Sequence, residues 1–301
     1  MTEQARTQNL ASLAVVICGA LWGIYWMPLR WFDAAGIGAA WIGTLFSAIA
    51  AVAVLPWLIR KSSWAKWQVP LLSGLLLGSG FAFYTVALLM TDVVHAILLF
   101  YLTPVWSTLG AWALYRERLT WPRLLAIVCG FAGMAFILGF DKGLPIPRNG
   151  GDMLALLSGV LWAAGSMVAY RRPSEAVALP AFFFALGGLA TSLVILVIAR
   201  FSDHSLASTG NILANLPLIA LVALVIFVPP NVLVLWAIQR VDPARAGILL
   251  MTELLVGSIS AALCAGEAYG WMEAMGTALI VGAGITEVLG GRKFLMRAER
   301  M

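Results

Sequence analysis

The sequence predicts an all-α integral membrane protein with ten transmembrane helices, arranged as two five-helix inverted repeats. Three observations predict it. Of 301 residues, 62% are hydrophobic and only 11% charged, with a mean hydropathy of +0.94; a soluble domain carries roughly a quarter charged residues. Apolar runs of about twenty residues, the length that crosses the hydrocarbon core of a bilayer, recur from end to end. The two halves of the chain also match one another in order.

Taken along the chain, the first run, 10–32, follows the polar start MTEQARTQN. It is too long for the apolar region of a signal peptide and has no convincing cleavage site, so it reads as a retained first helix. The run 39–59 ends at Arg60 and Lys61, 69–90 is divided from 93–115 by Asp92, and Arg116 and Arg118 precede 121–140. These five spans form a first unit, 1–145. The second unit, 146–301, holds 151–170, closed by Arg171 and Arg172, then 179–199, 216–238, 243–264 and 272–290, followed by the basic tail GRKFLMRAER. Helices are the natural form for all ten, because backbone polar groups in lipid must be satisfied within the segment. Only 141–150 and 200–215 exceed a tight turn by much, which leaves no room for a soluble catalytic domain.

Orientation follows from the basic residues. With a cytoplasmic N-terminus, fifteen lysines and arginines fall on the inner side, and only Arg30, Lys142, Arg148 and Arg200 on the outer. Both termini are therefore expected in the cytoplasm. The net charge of +5 and pI near 9.4 do not point to nucleic acid, because the charges punctuate apolar runs instead of forming a patch with interleaved aromatics. Cys18, Cys129 and Cys264 lie inside apolar segments and are odd in number, which is neither a disulfide framework nor metal-ligand spacing.

A shift of 150 residues pairs Ala87 with Ala237, Asp92 with Asp242, Ala96 with Ala246, Leu99 with Leu249, Glu117 with Glu267 and Trp121 with Trp271. A shift of 140 pairs GALW at 19–22 with GVLW at 159–162. Five helices per half is an odd number, so the second half enters the membrane from the opposite side, and a substrate site is expected at the interface near the midplane. Helix breakers fall at VPPN (228–231) in the eighth span and, by the same shift, at GSGF (78–81) in the third, giving Pro229, Pro230, Gly78 and Gly80 as expected breaks or hinges. Pro104 interrupts the fourth span and Pro28 the first, each freeing a carbonyl four residues earlier.

Glu253 stands alone in ILLMTELLVG, with no other charge between Arg245 and Glu267. An acidic residue at such a depth costs about 2.5–3.5 kcal/mol on insertion scales, so it faces protein or a wet cavity. It is a candidate partner for a substrate amine or a proton site, the alternative being a neutral carboxyl bonded to a freed carbonyl. Tyr84 and Tyr101, near the breaks, and the repeat-related Trp22 and Trp162 are the aromatic candidates for a substrate ring or ammonium. With no lysine or arginine at mid-span, a substrate carboxylate is expected at a helix N-terminus, at Asn231, or at the hydroxyls of Thr103 or Ser107. His95, Glu117 and Glu267 read as structural, the two glutamates suiting a helix N-terminal dipole.

The stretches GDMLALLSGVLWAAGSMVAYRR, LTPVWSTLGAWALYRERLTW and VDPARAGILLMTELLVGSISAALCAGEAYGW resemble the repeat unit of EamA-type transporters of the drug/metabolite transporter superfamily, once per half over essentially the whole chain. Within it, the chain is similar to bacterial inner-membrane exporters of aromatic amino acids. The resemblance implies a ten-helix fold, no covalent chemistry, no cofactor, and efflux of small metabolites through a central cavity in the inner membrane. The Thr-Glu of the second half departs from the Thr-Pro of the first, and puts Glu253 where the shift places Thr103.

An integral-membrane enzyme needs clustered acids, bases or metal ligands, and two distant histidines without HExxH or GxSxG do not supply them. The expected function is a secondary or facilitative transporter that exports amphipathic metabolites, amino acids first, by alternating access. Its partners are an amino-acid-like small molecule, the lipid bilayer and, as candidate coupling ion, the proton. An exporter of lipophilic cations is the rival, since it would use the same glutamate and rings.

Overall fold

Every described element of this chain is a helix. The structure, a computed structural model, describes residues 3–61, 67–91, 93–116, 119–138, 146–201, 209–265 and 270–298. Its helices are α1 (Glu3–Gly23), α2 (Trp26–Ala34), α3 (Ala39–Lys61), α4 (Gln68–Met90), α5 (Val93–Phe100), α6 (Thr103–Tyr115), α7 (Trp121–Leu138), α8 (Gly150–Arg171), α9 (Ala178–Phe201), α10 (Thr209–Val222), α11 (Val228–Ala237), α12 (Pro243–Leu250), α13 (Thr252–Ala265) and α14 (Trp271–Ala298). A π-helical turn, Ala223–Phe227, joins α10 to α11.

Among the described residues, eight helical stretches are long and apolar enough to cross a membrane, which makes this a multi-pass membrane protein. They correspond to the first four expected spans and to the sixth to ninth. The fifth and tenth are shorter apolar helices, Trp121–Ile137 and Trp271–Thr286. These two pack on each other, α7 against α14. A Cβ added to Gly133 would stand 2.6 Å from the carbonyl of Gly276, and one on Gly276 2.5 Å from that of Gly133. Small residues let the two backbones touch, as helix pairs in membranes require. The other extensive contacts put α4 between α8 and α9, α3 against α9, and α1 against α13 and α11.

Four of the eight spans are broken helices. The first divides at Ile24–Tyr25, where the Tyr25 amide bonds Trp22 O at 2.9 Å and α2 restarts with Pro28 in its first turn. The fourth divides at Tyr101–Leu102, with Pro104 at the start of α6. Its freed Phe100 carbonyl accepts the Thr103 hydroxyl at 2.6 Å. Before Pro229 and Pro230 the eighth span widens into the π turn, and the Asn231 amide donates to Phe227 O at 2.7 Å. The ninth span divides at Met251, where no proline or glycine announces it. There the Met251 and Leu254 amides bond carbonyls three residues back, at 3.2 and 3.0 Å, tightening the turn.

The expected break at Gly78 and Gly80 is absent. α4 runs unbroken from Gln68 to Met90. These glycines serve close packing instead. A Cβ on Gly78 would collide with the Phe184 carbonyl and lie 2.8 Å from Gly188 N, and one on Gly80 would lie 3.0 Å from Ser158 O. α4 is thus pressed backbone-to-backbone between α9 and α8, and a continuous helix presents both glycine faces at once.

Polar staples mark the ends of the bundle. Asp152, fully buried in the first turn of α8, accepts from Thr91 Oγ1 at 2.6 Å and from the Arg148 amide at 2.8 Å, while Asn149 caps the helix by accepting from Asp152 N at 2.9 Å. Elsewhere Asp242 caps α12, accepting from the amides of Ala244 and Arg245, and pairs with Arg123 of α7 at 2.9 Å. Glu117 and Glu267, and the side chain of His95, lie outside the described residues.

Candidate functional site

The site begins with the contact of two broken helices. α1–α2 and α12–α13 run side by side in the same direction. A Cβ on Gly23 would stand 2.7 Å from the Glu253 carbonyl, and Trp26 Nε1 donates to Ser260 Oγ at 3.0 Å. Gly23 thus lies backbone-to-backbone against α13, and the Trp22 ring one residue before it meets Phe81 of α4. Between α1–α2, α4 and α13 lies a cavity of about 430 Å³. Trp22, Tyr25, Trp26 and Arg30 line it from the α1–α2 region, Phe81, Tyr84 and Thr85 from α4, Phe100 from α5, and Glu253, Gly257 and Ser258 from α13, with Ile137 of α7 closing one side.

Its walls are aromatic. The Trp22 ring meets Phe81 at 5.6 Å between centroids and Trp162 edge-on at 5.7 Å; Tyr84 lies 4.4 Å from Phe100. Such rings offer faces for an apolar body or a cation.

One acidic and one basic side chain line this one cavity. Glu253 sits in the first turn of α13. The Tyr101 hydroxyl lies 2.6 Å from Glu253 Oε2 and 3.0 Å from Leu250 O. Tyr84 lines the same cavity as this carboxyl. Arg30 stands exposed at the rim, with its guanidinium 4.8 Å from the centroid of the Trp26 ring. Ser260 lies seven residues beyond Glu253 and bonds Trp26. At 1.5 Å per residue that is roughly 10 Å of helix, so the carboxyl and the guanidinium lie at different depths of the cavity.

The structure brings three of the sequence candidates, Trp22, Tyr84 and Glu253, to the cavity surface, and sets Tyr101 and Trp162 directly behind it. Both of the latter are about 1% exposed. The others lie elsewhere. Thr103 repairs the α5–α6 break, and Asn231 the turn before α11. Ser107 faces a small separate recess with Tyr115, Tyr170 and Asp242. Pro104 packs against Gly247, where an added Cβ would stand 2.9 Å from the ring, so the fourth and ninth spans touch near their breaks. Sequence reasoning did not select Arg30, Phe81, Phe100 or Ser258. Arg30 carried a usable signal, as a basic residue on the side otherwise poor in them. Phe81 and Phe100 carried only their position beside expected breaks.

Comparison with known proteins bears on what such a cavity serves. The sequence model of the EamA-like transporter family matches this chain twice, over residues 9–139 and 149–286. A crystal structure of a protein 20% identical in sequence has the same fold, with a TM-score of 0.70 over 96% of this chain and 99% of its own. No curated protein matches.

Proposed function

The chain belongs to the EamA-like transporter family, and we propose that it exports small amphipathic amines, amino acids including aromatic ones first among them, across the bacterial inner membrane. Members of that family move solutes and are not enzymes. The observation that carries the substrate reading is the pairing of Glu253 and Arg30 across one aromatic-walled cavity. The carboxyl takes an ammonium, the rings of Trp22, Phe81 and Phe100 take an apolar side chain, and the guanidinium at the rim draws the carboxylate end. An α-amino acid has its two charges only about 3 Å apart, so it meets Arg30 first and Glu253 after moving inward.

Ten spans, with α7 and α14 as the fifth and tenth, form two five-helix halves of opposite orientation in this reading, covering 1–145 and 146–301. The basic-residue bias puts both termini in the cytoplasm and the Arg30 end of the cavity outside. The breaks at Ile24–Tyr25, Pro104, Pro229–Pro230 and Met251 are the hinges about which the halves rock to expose the cavity alternately. The continuous α4 belongs to the rigid part.

An exporter of lipophilic cations would use the same rings and the same glutamate. Arg30 argues against it, because a guanidinium at the rim repels a permanent cation. Counterflow of labelled phenylalanine in liposomes decides between them. Saturable exchange, inhibited by unlabelled amino acids more strongly than by tetraphenylphosphonium, is expected. No phenylalanine movement together with tight tetraphenylphosphonium binding would replace this reading by the rival one.

A further inference from the structure

The hydroxyl of Tyr101 has one hydrogen and two acceptors. It lies 2.6 Å from Glu253 Oε2 and 3.0 Å from Leu250 O. The Leu250 carbonyl needs that hydrogen. In an unbroken helix the Leu254 amide would serve it, but at the Met251 break this amide bonds Met251 O instead, at 3.0 Å. Counting hydrogens over this cluster gives a definite result. With Glu253 ionised and nothing else bound, the Tyr101 hydrogen is drawn to the carboxylate, and Leu250 O is left one donor short. With Glu253 protonated, its O–H donates to the Tyr101 oxygen, Tyr101 donates to Leu250 O, and both are met.

A bound ammonium completes the cluster equally well. Its N–H groups satisfy the carboxylate and release the Tyr101 hydrogen to Leu250 O. Proton and ammonium cannot both occupy Glu253. We propose that the protein is a proton–amine exchanger in which Glu253 carries either a proton or a substrate ammonium, and Tyr101 reports its occupancy to the α12–α13 break through Leu250 O. This inference rests on the cavity being the transport site. The break is hydrogen-bonded throughout only in the two loaded forms, so the carrier changes face loaded and exchange is coupled. On the outer side the ammonium leaves, a proton from water takes its place on the carboxylate, and on the inner side that proton returns to water. One proton enters for each molecule exported. Among the described residues, the titratable or charged groups that share the cavity with Glu253 or bond it are Tyr25, Tyr84, Tyr101 and Arg30. Arg30 lies at the far rim, and Tyr101 acts as a neutral donor.

Infrared difference spectra of the full-length protein in liposomes, stepped from acid to alkaline buffer, test the cluster without any substrate. A protonated-carboxyl band is expected that disappears on the alkaline step, is lost in Glu253→Gln and changes frequency in Tyr101→Phe. Absence of a Glu253-dependent band, or a band unmoved by Tyr101→Phe, overturns the proposal. Phenylalanine, added at a pH where the band is present, should release protons into weakly buffered medium from wild type and not from Glu253→Gln. Counterflow without proton release would overturn exchange and leave the cavity as a transport site. If phenylalanine neither moves nor releases protons while the band persists, exchange with this amine and the substrate reading above both fall, and only the Glu253–Tyr101–Leu250 cluster stands.

Discussion

The fourth and ninth spans are built alike and end differently. Each opens with an eight-residue helix, α5 or α12, breaks, and resumes as α6 or α13. In each the first residue after the break is a threonine whose hydroxyl donates to a carbonyl three residues back, Thr103 to Phe100 at 2.6 Å and Thr252 to Leu249 at 3.0 Å. The break spans Tyr101 and Leu102 in one and Met251 alone in the other. Thr252 is thus the structural counterpart of Thr103, and Glu253 stands where the fourth span has Pro104. At that position proline lacks an N–H, and so suits a helix start whose first amides have no helical partner. A carboxyl at the same place suits the helix dipole and points a charge into the cavity. The same backbone device thus ends in an inert ring on one side and an ionisable group on the other, and the two are locked together where Gly247 meets Pro104 and Tyr101 meets Leu250 and Glu253.

The largest expected effect removes the difference itself. Glu253→Gln keeps the shape and deletes the charge, and a charge-assisted hydrogen bond is worth about 1.5–3 kcal/mol. Phenylalanine counterflow in liposomes should therefore fall by roughly 10–100-fold; unchanged rates would mean that the carboxyl serves only the helix start. Next comes the lock between the breaks. Gly247→Val would bring a methyl-bearing side chain against Pro104, an overpacking that costs about 1–3 kcal/mol, seen as a lower thermal midpoint of the detergent-solubilised protein. If stability does not change, the two spans are not in fixed contact. The paired threonines sharpen the comparison further. Thr103→Val and Thr252→Val should each destabilise by about 1–2 kcal/mol. Thr103, 2% exposed with the shorter bond, should cost more than the half-buried Thr252; the reverse order would contradict the equivalence drawn here. The smallest effect belongs to the rim. Arg30→Gln should slow phenylalanine counterflow only a few-fold, and less as salt is raised, because an exposed charge is screened. A large, salt-independent loss would place Arg30 in direct contact with the substrate.

Much of this could be read from the residues. Long apolar runs announced the helices, and Pro104, Pro229 and Pro230 announced breaks because a proline ring removes a donor wherever it sits. Glu253 announced a sheltered cavity because a carboxyl at that depth is costly in lipid. The break at Met251 could not be read. No residue in LLMTE forbids a helix, and the turn is drawn there by partners distant in sequence, Val16 O on the Thr252 hydroxyl at 3.1 Å and Tyr101 on Leu250 O. At Gly78 and Gly80 the ambiguity runs the other way. A glycine in an apolar helix signals a hinge and a close contact by the same absence of Cβ, and only the neighbours Phe184 and Ser158 distinguish them.

By itself, then, the sequence determined the solvent, the helices, the proline-borne breaks and the need to shelter one carboxyl, all consequences of what each residue can do to its own stretch of backbone in lipid. The tertiary structure decided which aromatics face the cavity, that Tyr101 and Trp162 stand behind it while Phe81 and Phe100 line it, and that Arg30 shares it with Glu253. In a soluble helix an apolar stripe names the buried face. Here both faces are apolar, since lipid and core accept the same side chains, and periodicity carries no record of which face meets which neighbour until the helices have packed.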